Sequence, residues 1–274
     1  LSFLPMQFII KKFFIIYFFF ITLLIFQNNL YSYEKLSHIE DFGLITVMYH
    51  RFEENKYPST NIKIKDFKQH LKIIEENNIQ FINPKNFEKE IVDNKKQRKI
   101  LLTIDDGFLS FYNNAWPILK KDKIPFILFV STREIGSFNY MNWKQIKEIS
   151  KEEFVEIGNH SHTHEYLVDE NNDLIKADIE KSISIFKKNL GQNSKFFSYP
   201  FGEYSNNFKN IIKSLGFKYA FGQHSGVIDE TKDFYELPRF PINEKYGEIK
   251  RFTSLTKTLP FKYKNIFPEE KYLL

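Results

Sequence analysis

The chain has 274 residues, 42% of them hydrophobic and 27% charged, with a formal net charge of +5. That composition supports one sizeable domain with a packed core and excludes a disordered chain. Beyond residue 32 there are 37 basic and 34 acidic residues, too small an excess for a nucleic-acid-binding face; the absence of cysteine excludes disulfides, a thiolate metal site and a lipidated N-terminus.

Lys11-Lys12 precedes fourteen uncharged residues, Phe13 to Phe26, and then a polar flank. This order reads as a secretory signal peptide, with an uncleaved N-terminal anchor as the alternative if residues 1–10 are counted in. Residues 1–32 are thus set apart from one domain at 33–274. The protein is expected to be exported, periplasmic or extracellular, meeting a membrane only through this segment. From residue 44, apolar runs alternate with amphipathic stretches. Residues 44–49 read as a strand and 64–78 as a helix, with Phe67, Leu71 and Ile74 at helical spacing. A short strand follows at 80–82, a helix opening on Pro84 at 84–92, and a buried strand at 100–104. The spacing predicts a helix over 111–121 despite Pro117, a strand over 125–130 and a helix over 143–150. A strand over 154–157 and a long helix over 173–190 come next. Segments 196–199, 206–215 and 219–221 continue the alternation; from Asn243 no pattern is clear. About seven strand–helix units predict an α/β fold with parallel strands, a distorted (β/α)7-type barrel.

Two segments carry the chemistry. Thr103-Ile104-Asp105-Asp106-Gly107-Phe108 and Gly158-Asn159-His160-Ser161-His162-Thr163-His164 each begin where an apolar run ends. Ionised Asp and neutral His suit a divalent metal: zinc by default, with cobalt, nickel or iron also fitting. Three protein ligands leave a position for water. Adjacent aspartates need different jobs, because like charges held close raise one another's pKa unless a cation separates their roles. His160 and His164 match the i, i+4 spacing of a helical turn. Tyr49-His50 and Tyr199-Pro200-Phe201-Gly202 also fall at strand ends, where parallel barrels carry their active sites.

Thr103-Ile104-Asp105-Asp106-Gly107 and His160-Ser161-His162-Thr163-His164 resemble the motifs of the polysaccharide deacetylases of carbohydrate esterase family 4, the NodB-homology fold, over roughly residues 44–243. The resemblance implies that Asp105 is the general base and that Asp106, His160 and His164 hold the metal, with His162 a spacer. Ser198-Tyr199-Pro200-Phe201-Gly202 is similar to a third family motif that lines the groove and offers a backbone N–H, here that of Phe201, to the oxyanion. That motif usually carries an arginine where this chain has Ser198, which leaves open what orients the base; Arg239 is the candidate. No histidine follows His224, so the family's usual C-terminal acid is absent. Val47-Met48-Tyr49-His50-Arg51-Phe52 resembles a circularly permuted branch acting on poly-N-acetylglucosamine, which implies His50 as general acid. Tyr199, Pro200, Trp143 and Arg239 are the expected substrate contacts, aromatic faces suiting the apolar face of a sugar ring. His38, His70 and His224 read as surface or core histidines. The implied reaction is removal of N-acetyl groups from an extracytoplasmic, acetylated polysaccharide. The alternatives are O-acetyl ester hydrolysis on xylan or another glycan, and a glycan-binding module with a relict site.

Overall fold

The computed structural model describes residues 43–92 and 98–256; the expected signal or anchor at 1–32 lies outside the described residues. Among the described residues, no helix is long and apolar enough to cross a membrane. The strands are β1 Gly43–Tyr49, β2 Arg51–Phe52, β3 Asn61–Ile62, β4 Gln80–Phe81, β5 Arg98–Ile104, β6 Phe126–Val130, β7 Val155–Asn159, β8 Phe196–Ser198, β9 Tyr219–Phe221, β10 Val227–Ile228 and β11 Phe240–Pro241. The α-helices are α1 Ile64–Glu76, α2 Phe87–Val92, α3 Trp116–Asp122, α4 Trp143–Ile149, α5 Asn172–Leu190, α6 Asn206–Ser214 and α7 Ile249–Thr256.

The main sheet runs β10-β1-β5-β6-β7-β8-β9, parallel throughout from β1 to β9 and antiparallel only at β10. Leu237 bridges Phe221 in β9, while β11 pairs in parallel with β1. Segment 237–241 therefore bonds to both ends of the sheet. It stays short because Pro238 and Pro241 remove ladder donors. The expected α/β architecture is present as a curled, parallel-rich half-barrel, its open side spanned by this irregular segment instead of a further regular strand–helix unit.

Strand side chains alternate between faces with period two, and the core divides accordingly. Ile100, Leu102 and Ile104 of β5 pack outward with Phe126, Leu128, Val155 and Ile157 beneath helix residues such as Phe67, Trp116 and Ile146. Leu101, Ile127, Phe129, Phe196, Phe221 and Leu237 fill the inner face. Continuing the inner register puts Thr103 and Asp105, Gly158 and His160, and Ser198 at the C-terminal ends of their strands, with Arg239 between the Leu237 bridge and β11. Gly158 belongs to this packing, since a Cβ there would lie 2.2 Å from the Phe129 ring.

Two sequence readings needed adjustment. The stretch through Pro117 is helical because Phe111–Ala115 widens into π-type turns and Pro117 sits in the first turn of α3, where its missing N–H leaves no bond broken. The tail without pattern contains α7, fixed by tertiary contact: Phe252 stacks on His70 with centroids 3.9 Å apart.

Candidate active site

Asp105 follows β5, and its N–H donates to the Tyr49 carbonyl at 2.9 Å. The Thr103 hydroxyl donates to the Val47 carbonyl at 2.9 Å, so both ends of the Thr-x-Asp segment are tied to β1. The chain then turns sharply, with Asp106 at φ +73° and Gly107 at φ +79°. The left-handed turn separates the two carboxylates, and only glycine takes its second position without strain.

Asp106 Oδ1 lies 3.4 Å from His160 Nε2 and 3.3 Å from His164 Nε2. Among the described residues these three side chains form a group whose ligand atoms all lie within 4.8 Å of one another. His160 Nδ1–H donates to the Ser198 carbonyl at 2.7 Å, which fixes the tautomer and leaves Nε2 free as a ligand. Asp106 Oδ1 is buried without a hydrogen-bond partner. An orphaned carboxylate oxygen beside two imidazole lone pairs is what a divalent cation would satisfy, so the donor set fits the expected metal. The i, i+4 reading of the histidines is corrected: no helix forms, and Ser161 at φ +69° and His164 at φ +54° bend a loop that brings them together. His162 faces elsewhere, its Nδ1 2.9 Å from the Thr132 hydroxyl.

Asp105 is held from the other side. Arg239 Nη1 donates to its Oδ1 at 2.8 Å, and Nη2 donates to the Ser198 hydroxyl at 2.8 Å. That hydroxyl in turn donates to Asp105 Oδ2 at 3.1 Å, and Arg239 Nε donates to the Gly222 carbonyl at 2.9 Å. A guanidinium from segment 237–241 thus reaches the carboxylate, with Ser198 as a hydroxyl relay at the position where the resemblance expects arginine. Burial alone would raise the Asp105 carboxyl; the Arg239 guanidinium, with His160 and His50, outweighs it and holds the group below the usual range. Burial likewise opposes ionisation of Asp106, but His160, His50 and His164 keep it well below the carboxylate range. His50 feels both carboxylates across the same site; burial lowers its pKa, opposed by Asp106 and Asp105.

The expected substrate contacts are corrected in part. Arg239 is 1% exposed and fully engaged with Asp105, Ser198 and Gly222, which holds the Asp105 carboxylate and leaves no donor for a ligand. Tyr199 is buried, its hydroxyl donating to the Tyr235 carbonyl, and Pro200 is buried beside it. Trp143 packs edge-on against Phe186 at the outer core. The exposed aromatic of that motif is Phe201, at φ +59°, its ring 4.9 Å from that of His164. A pocket of about 350 Å³ opens beside Asp106 and His164, lined also by Arg51, Tyr57, Glu134 and Tyr140. A larger groove of about 1040 Å³ between α1 and α3, floored by Leu71, Phe81 and Ile118, holds none of these site residues.

Asp178 on α5 escaped the sequence reading. Its carboxylate accepts from the His162 N–H at 2.7 Å, the Thr163 N–H at 3.0 Å and the Thr163 hydroxyl at 2.6 Å. The signal was a carboxylate bordering the buried stripe Ile175, Ile179, Ser182, Phe186, where a polar group needs a partner.

Residues 92–220 match the family model described as polysaccharide deacetylase. The chain is 28% identical over 211 residues to a poly-beta-1,6-N-acetyl-D-glucosamine N-deacetylase of Staphylococcus aureus, covering 70% of this chain and 72% of that one. To the protein of the same name from Staphylococcus epidermidis it is 26% identical over 229 residues, covering 78% of each. In fold it is similar to IcaB from Ammonifex degensii, with a TM-score of 0.72, 24% identity and coverage of 79% of this chain and 98% of that one. It is similar also to the Streptococcus pyogenes deacetylase PplD, with a TM-score of 0.70, 23% identity and coverage of 78% and 98%. The matched residues lie over the sheet from β5 to β9, and over that part the chain is similar to a polysaccharide deacetylase domain.

Proposed function

We propose that this protein hydrolyses N-acetyl groups of a poly-N-acetylglucosamine outside the cytoplasm, in a reaction dependent on a divalent metal, zinc by default. The observation that carries the reading is the convergence of Asp106, His160 and His164 beside a separately held Asp105. The names of the staphylococcal relatives support an N-acetylglucosamine polymer as the substrate class. Asp106, His160 and His164 would hold the metal, which when bound polarises the amide carbonyl and acidifies the attacking water.

Asp105 accepts the proton of the attacking water; its two hydrogen-bonded neighbours, Arg239 and Ser198, fix the direction of its free lone pair. The Phe201 N–H donates to the tetrahedral oxyanion. The left-handed backbone at Phe201 is the kind of local strain that a turn aimed at a ligand retains. His50 donates a proton to the nitrogen of the tetrahedral intermediate; the C–N bond then breaks, leaving a free amine on the sugar and releasing the acetyl group as acetate. Export rests on the Lys11-Lys12 and apolar segment of residues 1–32.

The test is acetate release from β-1,6-linked N-acetylglucosamine oligomers by zinc-loaded protein, with metal content measured alongside. Asp105→Asn is expected to keep zinc and lose turnover, and His160→Ala to lose both. An active, metal-free His160→Ala protein would sink the assignment. Acetate from acetylated xylan alone would make the enzyme an esterase.

A further inference from the structure

Within the deacetylase reading, on which the following rests, we propose that the pocket beside Asp106 and His164 seats a second sugar of the polymer, adjacent to the one losing its acetyl group. The Tyr57 ring is its platform.

The pocket is continuous with the site, since Asp106 and His164 are among its walls. At about 350 Å³ it lies at the small end of ligand pockets, roughly 300–1,000 Å³, the scale of a sugar unit and not of a long polymer stretch. Its charges away from Asp106 and His164 are already matched. Arg51 pairs with Glu54 at 3.0 Å, and Arg133 pairs with Glu134 at 2.9 Å and Glu165 at 3.0 Å. A wall of self-neutralised charges and aromatic rings suits a neutral, hydroxyl-rich ligand with an apolar C–H face, and offers little to a phosphate or a polyanion.

Tyr57 is set up for that ligand. Its ring is 53% exposed and contributes nothing to the core. One face is taken by the Arg51 guanidinium, 4.4 Å from the ring centroid; that guanidinium also lies 3.5 Å from the Phe108 centroid. The stack fixes the ring's tilt on the wall of the pocket. The backbone beneath is held under strain: Glu53 and Tyr57 sit at φ +60° and +61°, a region that non-glycine residues rarely occupy without compensation. The compensation is a dense set of bonds. The Tyr57 carbonyl accepts from the Thr60 and Asn61 N–H groups, both at 2.9 Å. The Asn61 side chain accepts from Glu54 N–H at 2.9 Å and donates to its carbonyl at 2.8 Å. Asn243 Nδ2 donates to the Ser59 carbonyl at 2.8 Å. A loop braced this firmly to present one exposed aromatic beside a catalytic cleft is preorganised for binding.

The experiment compares kcat/KM of the zinc-loaded full chain on monomeric N-acetylglucosamine, which cannot fill the subsite, and on the β-1,6-linked pentamer, for wild type, Tyr57→Leu and Tyr57→Phe. The readout is the pentamer-to-monomer ratio. Loss of one stacking contact is expected to lower that ratio about twofold to tenfold in Tyr57→Leu, mainly through the KM of the pentamer. Tyr57→Phe, which keeps the face, should retain it. An unchanged ratio in Tyr57→Leu, or a matching loss on both substrates, overturns the subsite. Wild-type protein that releases no acetate from either substrate overturns the deacetylase reading itself, and the subsite with it.

Discussion

His70 should make the stability of this protein fall with acidity in a defined window. The residue is fully buried on α1. Its Nε2–H donates to the Gly247 carbonyl at 2.7 Å, which leaves Nδ1 to accept from the Tyr49 hydroxyl at 3.1 Å. A neutral imidazole satisfies both partners; a second proton on Nδ1 would take away the acceptor of the buried Tyr49 hydroxyl and force it to turn and accept instead. Burial, opposed only in part by the Gly247 carbonyl and Asp66, lowers its pKa to about 4. In the unfolded chain it titrates near the usual ~6.5, so between those values the unfolded state takes up a proton that the folded state refuses. The stability due to neutral His70 is complete above pH ~6.5 and is lost as pH falls toward 4. A displacement of about 2.5 units at 1.36 kcal/mol each sets the loss on the order of 3 kcal/mol. The assay is urea unfolding of metal-free protein at several pH values from 7.5 to 4.5, for wild type and His70→Gln. Carboxylates and site histidines titrate in both proteins and cancel in the difference. Parallel stability–pH curves for the two proteins would refute the argument.

Three further outcomes are expected. Arg239→Gln strips Asp105 of its largest ionising influence, so its pKa should rise and the acidic limb of the kcat/KM profile should move to higher pH; the activity loss should be roughly 100-fold or more, on the scale of general-base catalysis, and a pH–rate titration reads both. Asp178→Ala leaves the His162 and Thr163 amides without acceptors in the loop that carries two metal ligands; zinc should bind about 10- to 100-fold more weakly in a chelator competition, with a smaller effect for Asp178→Asn. Gly158→Ala places a methyl 2.2 Å from Phe129 and should cost about 1–3 kcal/mol, measured as a lower urea midpoint.

The parallel strands and most helices were legible because their signals are local: apolar runs of strand length, helical spacing in α1, and a long amphipathic stretch in α5. The grouping of Asp106, His160 and His164 was legible because both segments follow apolar runs that read as strands, whose ends a parallel sheet brings to one side. What was hidden depends on distant contacts. Arg239 was a candidate for orienting Asp105 from the sequence, but its route there was hidden: it stands in a stretch with two prolines and no periodicity, and the return of that stretch to the sheet is what aims it at Asp105. Tyr199 looked like a sugar platform because its motif borders the cleft, yet the alternation of β8 turns it into a cluster with Phe208 and Tyr204, and the exposed ring falls to Phe201. Tyr57 gave no signal, because its exposure is the product of a strained turn and of an arginine stack formed with Phe108.

The residues that match the family model stop short of the machinery on either flank. His50 precedes residue 92 and Arg239 follows residue 220, while the ligands and Asp105 lie between. A fragment cut to the matched residues would keep every recognisable motif and lose both His50, the proposed proton donor, and the guanidinium that holds Asp105. Under the proposed mechanism the same holds for variation in relatives: a substitution at the position of Arg239, or a shortened segment 237–241, would silence a chain whose signature reads as intact, and reading activity from the signature alone would miss it.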